Sequence, residues 1–481
     1  MGTKKTSSIY ICAIIGSIIM FGFGALPPIG PLSPMGMKCF GILLGLIWLW
    51  STVDMGWPAF MSFVALVATG CMTITEVTTA AFSNYTVLFL IFSCMIIIPL
   101  GESGMFDYIA NWMLKQKLLQ GHPWRITIAI FVLCYVGLLL QGGFAVLMML
   151  YSLTYKICDT VGMPRTSSWV GAMLMGITLV NICGGCALPF LAGPMFVLSL
   201  FIGAEFVNIS FISFLLYATL LTILITAFYL FVMRFIIRVD VSPIANMNIA
   251  ECARELPPMS KYQKTCAVLL MSYMGCVILI GSASMLPACT FTAILQKIGL
   301  LGNAWIFICI MLLYHVDGKP VSNLSTMGQK CLWDAALICA AGTVVGNYML
   351  RPNLGINTLL ENLTASVFAG HNAFVFTFLV VTVALILANV LNNAVVVMLM
   401  SQIVFVYAGS VIGLNMVTLA VLMIFAVNIV FLLPGASVMG AIVHSNADKV
   451  GKKNLYLWAL VTIICTIVAF FLMIPVGNML F

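Results

Sequence analysis

The chain has 481 residues, of which 63% are hydrophobic and only 7% charged. A soluble domain carries about 25% charged residues, so these are too few to clothe a water-exposed surface, and soluble enzymes, nucleic-acid binders and disordered scaffolds are excluded. The net charge of +7 comes from basic residues scattered between apolar runs, not from a basic face that would hold nucleic acid.

A helix crossing the ~30 Å hydrocarbon core needs about 20 apolar residues. In chain order the candidate spans are 9–26, 36–52, 57–73, 84–100, 168–203, 210–234, 263–286, 303–316, 332–350, 416–443 and 455–475. The first follows Lys4 and Lys5, has further spans behind it and ends on no A-x-A site, which predicts an uncleaved helix and not a signal peptide. Segments 168–203 and 416–443 exceed one plain crossing and carry Gly and Pro near their middles, which predicts broken helices. Stretches 126–157 and 373–408 are too short for two crossings and are interrupted by Gln141-Gly142-Gly143 and by Asn392-Asn393, which predicts re-entrant hairpins. Residues 104–118 read as an amphipathic helix in the interface. The expected fold is an all-α polytopic membrane protein of about eleven transmembrane helices plus two re-entrant hairpins.

Charge orients it in the cell membrane. With the N-terminus cytoplasmic and the C-terminus outside, only Lys38, Lys297 and Arg351 of the 20 Lys and Arg fall on the outer side, as the positive-inside rule requires. The chain also nearly repeats itself at an offset near 250 residues. Gln141–Met148 parallels Leu391–Met398, Val180-Asn181-Ile182 parallels Val427-Asn428-Ile429, and Tyr85–Leu114 parallels Trp333–Leu363. An odd number of crossings per half inverts the second half. The expected organisation is an N-terminal helix (1–26), a first repeat (27–238), a polar cytoplasmic linker (239–262) and a second, inverted-topology repeat (263–481). Inverted repeats with broken helices in matching places mark secondary transporters.

Non-helical backbone at membrane depth is tolerated only inside protein or beside a water-filled cavity. The two hairpin tips and the two unwound segments, 181–194 and 428–440, are therefore the expected site. Helix N-termini there carry partial positive charge that suits an anion. Gln141, Gly142, Gly143, Asn181, Asn392, Asn393 and Asn428 are the candidate substrate-binding residues, since neutral amides donate to a carboxylate or accept from a cation. The same amides would serve as caps of broken helices, and glycine equally suits close helix packing. Exposed carbonyls suit a small cation, with Gly142, Gly184, Gly185, Asn392, Pro434, Gly435 and Ser437 as candidate ion-binding positions. No charged residue lies at mid-depth in any span, which argues against carboxylate-based proton coupling and against an Arg clamp. There is no H-E-x-x-H and no G-x-S-x-G, and Cys183-Gly184-Gly185-Cys186 lacks a second ligand pair; neither an enzyme nor a bound cofactor is expected.

These features resemble the divalent anion:sodium symporter family of the ion transporter superfamily, over nearly the whole chain. That family carries a Ser-Asn-Thr motif at each hairpin tip. The matching stretches here are Gln141–Tyr151, which keeps none of the three, and Leu391–Met400, which keeps the Asn as Asn392. Its Gly- and Pro-bearing unwound segments look like Asn181–Pro194 and Asn428–Gly440. The resemblance implies sodium as coupling ion, a homodimer, a fixed scaffold (the first four spans and the seventh to ninth) and a mobile elevator-type unit made of the hairpins with spans 168–203, 210–234, 416–443 and 455–475. The expected function is a secondary active transporter of small anions such as carboxylates. The alternative is an uncoupled exchanger or permease for a less charged solute on the same scaffold.

Overall fold

A computed structural model describes the chain except for residues 1, 55, 142, 190, 204–209, 246, 248, 253–255, 284–286, 288 and 434–436, and except for the side chains of 2–8, 139–141, 143–145, 211 and 251. The first half contains α1 (Gly2–Gly22), α2 (Pro34–Thr52), α3 (Trp57–Ala68), α4 (Ile74–Phe82), α5 (Tyr85–Gly101), α6 (Met105–Leu114), α7 (Pro123–Gln141), α8 (Gly143–Val161), α9 (Ser168–Cys186), α10 (Ala192–Gly203) and α11 (Phe211–Phe231). The second contains α12 (Lys261–Gly281), α13 (Thr290–Leu313), α14 (Leu324–Lys330), α15 (Trp333–Met349), α16 (Ile356–Phe368), α17 (Ala373–Ala388), α18 (Asn393–Tyr407), α19 (Met416–Asn428), α20 (Val438–His444), α21 (Ala447–Val450) and α22 (Lys452–Leu480). Extended structure among the described residues is confined to a two-residue ribbon, His315–Val316 against Lys319–Pro320.

Short polar residues set the helix starts by accepting from the first free N–H groups. Ser33 caps α2, Asn84 caps α5, Ser167 caps α9 and Asn372 caps α17. Thr73 and Glu76 form a capping box on α4. Among the described residues six helices are long and apolar enough to cross a membrane, and nine spans result if each bent pair counts as one. The bends are 51° between α4 and α5, 62° between α14 and α15, and 101° between α16 and α17.

The helices depart from the expected spans at identifiable residues. The stretch 57–73 forms only the 12 residues of α3, about 18 Å of helix, because Gly70 turns the chain with φ 73°. The span placed at 303–316 begins at Thr290, since Gln296 and Lys297 hide its first turns from a hydropathy reading; it kinks at Gly299, φ 61°. Of the helix expected at 104–118, Met105–Leu114 forms as α6, which buries Met105, Phe106, Ala110 and Leu114.

Two helices form the axis of the molecule. In α9 every residue from Trp169 to Gly184 is buried, and in α19 every residue from Thr418 to Val427. Both are apolar all round, the pattern of a fully enclosed helix. Around them the packing pairs recur. α7 and α8 pack on each other and on α9; α17 and α18 pack on each other and on α19. Outside this inner group the pairs change halves: α5 packs on α12, α13 and α14, while α15 packs on α2, α3 and α4. The bundle is therefore closed by contacts between halves.

One close approach seals that closure. The loop before α15's successor folds onto the start of α2, where Ser33 N–H donates to the Leu354 carbonyl at 3.0 Å. A Cβ on Gly36 would lie 1.9 Å from the Leu354 carbonyl oxygen, and one on Gly355, at φ 74°, would lie 1.9 Å from the Pro31 carbonyl oxygen. Backbone on both sides leaves no side chain to yield. Gly36→Ala and Gly355→Ala should each cost more than about 2 kcal/mol, the left-handed backbone alone contributing about 1–2 at Gly355. Gly275→Ala, in α12 with open space around it, should instead stabilise by up to about 1 kcal/mol. Thermal unfolding in detergent reads both signs.

Candidate functional site

A cavity of about 150 Å³ lies where α10, α15, α18 and α19 meet. One water needs only ~10–15 Å³, so it has room for a small solute. Ala192, Gly193 and Phe196 line it from α10, Ala335 and Ile338 from α15, Asn393, Ala394 and Val397 from α18, and Val427 and Asn428 from α19. Its elements come from both halves of the chain.

The cavity's electrostatics come from backbone ends, since none of these lining residues is charged. Two helices present their N-terminal residues to it, α10 with Ala192 and Gly193 and α18 with Asn393 and Ala394. Each brings roughly half a positive elementary charge. α19 presents its C-terminal residues Val427 and Asn428, the partly negative end. Asn428 Nδ2 donates to the Ile424 carbonyl at 2.8 Å. That bond leaves its Oδ1 over Gly193, where a Cβ would come within 2.5 Å of it. Asn393 makes no side-chain hydrogen bond among the described residues and keeps its full donor and acceptor capacity toward the cavity. The arrangement suits an oxyanion held by N–H groups and amides, with carbonyl oxygen near by for a small cation.

The break after α19 is held open by side chains. Asn389, 1% exposed, lies just past the end of α17. Its Nδ2 donates to the carbonyls of Leu385 and Ile429, both at 2.9 Å. Its Oδ1 accepts from the N–H groups of Phe431 at 3.1 Å and Leu432 at 2.9 Å. Ser437 Oγ donates to the Val430 carbonyl while accepting from Gly440 N–H at 2.9 Å, capping α20. His444 Nε2 donates to the Phe431 carbonyl, 3.0 Å away. Three side chains thus pair the backbone that the helix abandons between 429 and 432.

The predicted residues divide into groups. Asn393 and Asn428 meet in the cavity. Asn392 stands next to it but spends its Oδ1 on Ala394 N–H at 2.9 Å as the cap of α18. Ser437 is at the far end of the break. Asn181 is not in the cavity: it is buried within α9 and hydrogen-bonded to the Cys134 thiol of α7. Nor does the first break begin at Asn181. α9 stays helical through Cys186, so Gly184 and Gly185 are helical too, and α10 begins at Ala192. Helix continues there because the packing is tight: a Cβ on Gly184 would lie 2.7 Å from Leu138 Cδ2 and 3.0 Å from Tyr135. Gln141 ends α7 and Gly143 begins α8; the Gln141 side chain, Gly142, Pro434 and Gly435 lie outside the described residues. Sequence reasoning missed the positioning role of Asn389 and His444. The one signal for Asn389 was an amide in an apolar run, three residues before Asn392-Asn393.

A family model described as a citrate transporter matches residues 44–316, more than half of the chain. The chain is also similar to a 46 kDa membrane protein of Mycobacterium leprae (strain TN), with 26% identity over 144 residues, or 30% of this chain. The match spans 31% of that relative's length.

Leaving one buried partner of a hydrogen bond unpaired costs about 1–3 kcal/mol. Asn389→Ala orphans partners on both sides of the break and should lower stability by at least about 2 kcal/mol. Ser401→Ala, which removes a buried hydroxyl with no partner, should move the unfolding midpoint little. Differential scanning fluorimetry of purified protein compares the two.

Proposed function

We propose that this chain, which belongs to the citrate transporter family, carries citrate or a related small carboxylate across the membrane through the cavity between Asn393, Asn428 and Gly193. The observation that carries this reading is the convergence of two helix N-termini, one from each half, on a cavity lined by amides and no carboxylate. Partial positive charge without a fixed countercharge favours an anion, and a low-dielectric surrounding strengthens it. Binding by dipoles leaves no permanent charge in the membrane when the carrier is empty, which avoids a cost of at least ~2.5–3.5 kcal/mol per buried ion.

The same reading takes the solute across by an elevator-type movement. Asn389 ties the hairpin α17–α18 to the break after α19, so hairpin and break would move as one body, with α9, α11 and α22 packed behind them. Sodium is the coupling ion of this proposal; Ser437 and the carbonyls at the end of α19 are its candidate ligands. A homodimer is proposed on the resemblance, with the apolar helices α12 and α13, only 22% and 28% buried within one chain, facing lipid or a second copy. The absence of a charged group in the cavity lining favours a second reading, an uncoupled exchanger on the same scaffold.

Uptake of labelled citrate into proteoliposomes tests the proposal. Asn393→Asp places a carboxylate where the anion would sit; at an effective dielectric of about 20 and 4 Å the repulsion is about 4 kcal/mol, so uptake should fall at least tenfold, roughly 1.4 kcal/mol. Gly193→Ala must push the Asn428 amide aside and should also depress uptake. Wild-type rates in both variants would remove this cavity from the transport path. Counter-flow with and without a sodium gradient separates the coupled carrier from the exchanger.

A further inference from the structure

A second, larger cavity of about 550 Å³ runs along one face of α8 and opens to solvent. Its lining on α8 follows helical spacing from Met148 through Ser152 to Asp159, roughly 16 Å of helix. Across from α8 stand Ser445 and Asn446, between α20 and α21. Tyr155 bridges the cavity: its hydroxyl donates to Asn446 Oδ1 at 2.8 Å.

Cations gather on that tyrosine. The Arg165 guanidinium lies 5.2 Å from the ring centroid and Lys449 Nζ 5.6 Å from it. Arg165 holds Asp159 with Nε and Nη2, at 2.8–3.2 Å. Its Nη1 makes no such contact among the described residues, and both side chains of the pair are about half exposed, where an ion pair contributes little. Lys156 also lines the cavity, donating to the Cys252 carbonyl at 3.1 Å. Of the other carboxylates near by, Asp107 lines a smaller pocket beside Lys156, and Asp448 is exposed on α21 next to Lys449. Lys156 and Arg165 line the cavity against one carboxylate, Asp159, and Lys449 stands at its edge, over the Tyr155 ring as Arg165 does.

The equivalent face of the other hairpin is shut. About 250 residues on, Met398, Ser401, Gln402 and Phe405 of α18 are all buried. Ser401 Oγ and Gln402 Oε1 have no hydrogen-bond partner there. Two hairpin arms of like polarity thus stand in opposite conditions, one beside an open cavity and one packed. That contrast fits an access route open on one side only.

We propose that the α8 cavity is an antechamber which binds a multivalent oxyanion, a di- or tricarboxylate in transit, at Arg165 and Lys449 before it reaches the amide-lined cavity. This rests on the proposed transport function. Fixed positive charge in a cleft raises the local concentration of anions and their arrival rate, an effect screened by salt.

The test is citrate flux from the α8 side of the membrane in phosphatidylcholine proteoliposomes at low salt. R165Q/K449Q should raise KM about fivefold or more, change the maximal rate less than twofold, and flatten the salt dependence. Asp159→Asn frees the guanidinium and should move KM the other way, so a folding defect in the double variant cannot hide the outcome. Unchanged KM in both variants overturns the proposal. So does a charge effect that appears only when phosphatidylglycerol is present, because it would assign the site to a lipid phosphate. If no carboxylate is transported at all, the proposed function fails, and the antechamber is judged alone by thermal shift with inorganic phosphate. Stabilisation kept in Asn393→Ala and lost in R165Q/K449Q supports it; equal stabilisation in all three proteins overturns it.

Discussion

Water is absent from the hydrocarbon core, so each peptide group that leaves a helix there needs a partner within the protein. The break after α19 meets this demand with three side chains. Asn389 alone donates twice and accepts twice, to four residues on two elements, using the full hydrogen-bonding capacity of its amide. Ser437 and His444 take the next two carbonyls. The break in turn frees the ends of α19 and α10 to face each other across the cavity. Without paired backbone at 429–432 that cavity would have no wall on the α19 side.

The charge design follows from the same scarcity of water. A carboxylate or guanidinium at the cavity would have to be neutralised whenever the solute left. Helix ends need no such neutralisation, because their charge is the sum of peptide dipoles already satisfied elsewhere. Among the described residues no Asp, Glu, Lys or Arg is buried; charged groups line the α8 cavity and form surface pairs such as Lys330 with Glu102 at 2.6 Å. On the proposed reading the two ways of attracting an anion are kept apart, dipoles at the amide-lined cavity and side-chain charge at the α8 cavity.

Much of the helical framework was legible in the sequence because apolar length and Gly-Pro interruptions report directly on the bilayer. The hairpin elements α17 and α18, the break after Asn428 and the place of Asn393 followed from such signals. The break in the first half did not. Val180-Asn181-Ile182 imitates Val427-Asn428-Ile429, yet α9 continues to Cys186 because Leu138 and Tyr135 pack over Gly184 and the helix is enclosed all round. Asn389 was illegible for a different reason. Its partners at the break are 40 to 43 residues away, and no local pattern encodes a contact at that separation. The walls from α10 and α15 were equally hidden, since they arise where two halves of the chain come together.

The exchange of packing partners between halves bears on biogenesis. A polypeptide ending near residue 240 would leave α5 without α12, α13 and α14, and α2, α3 and α4 without α15. Those apolar faces stay uncovered until the later helices have been made, so a ribosome has finished most of the chain before the first half can settle into its final packing.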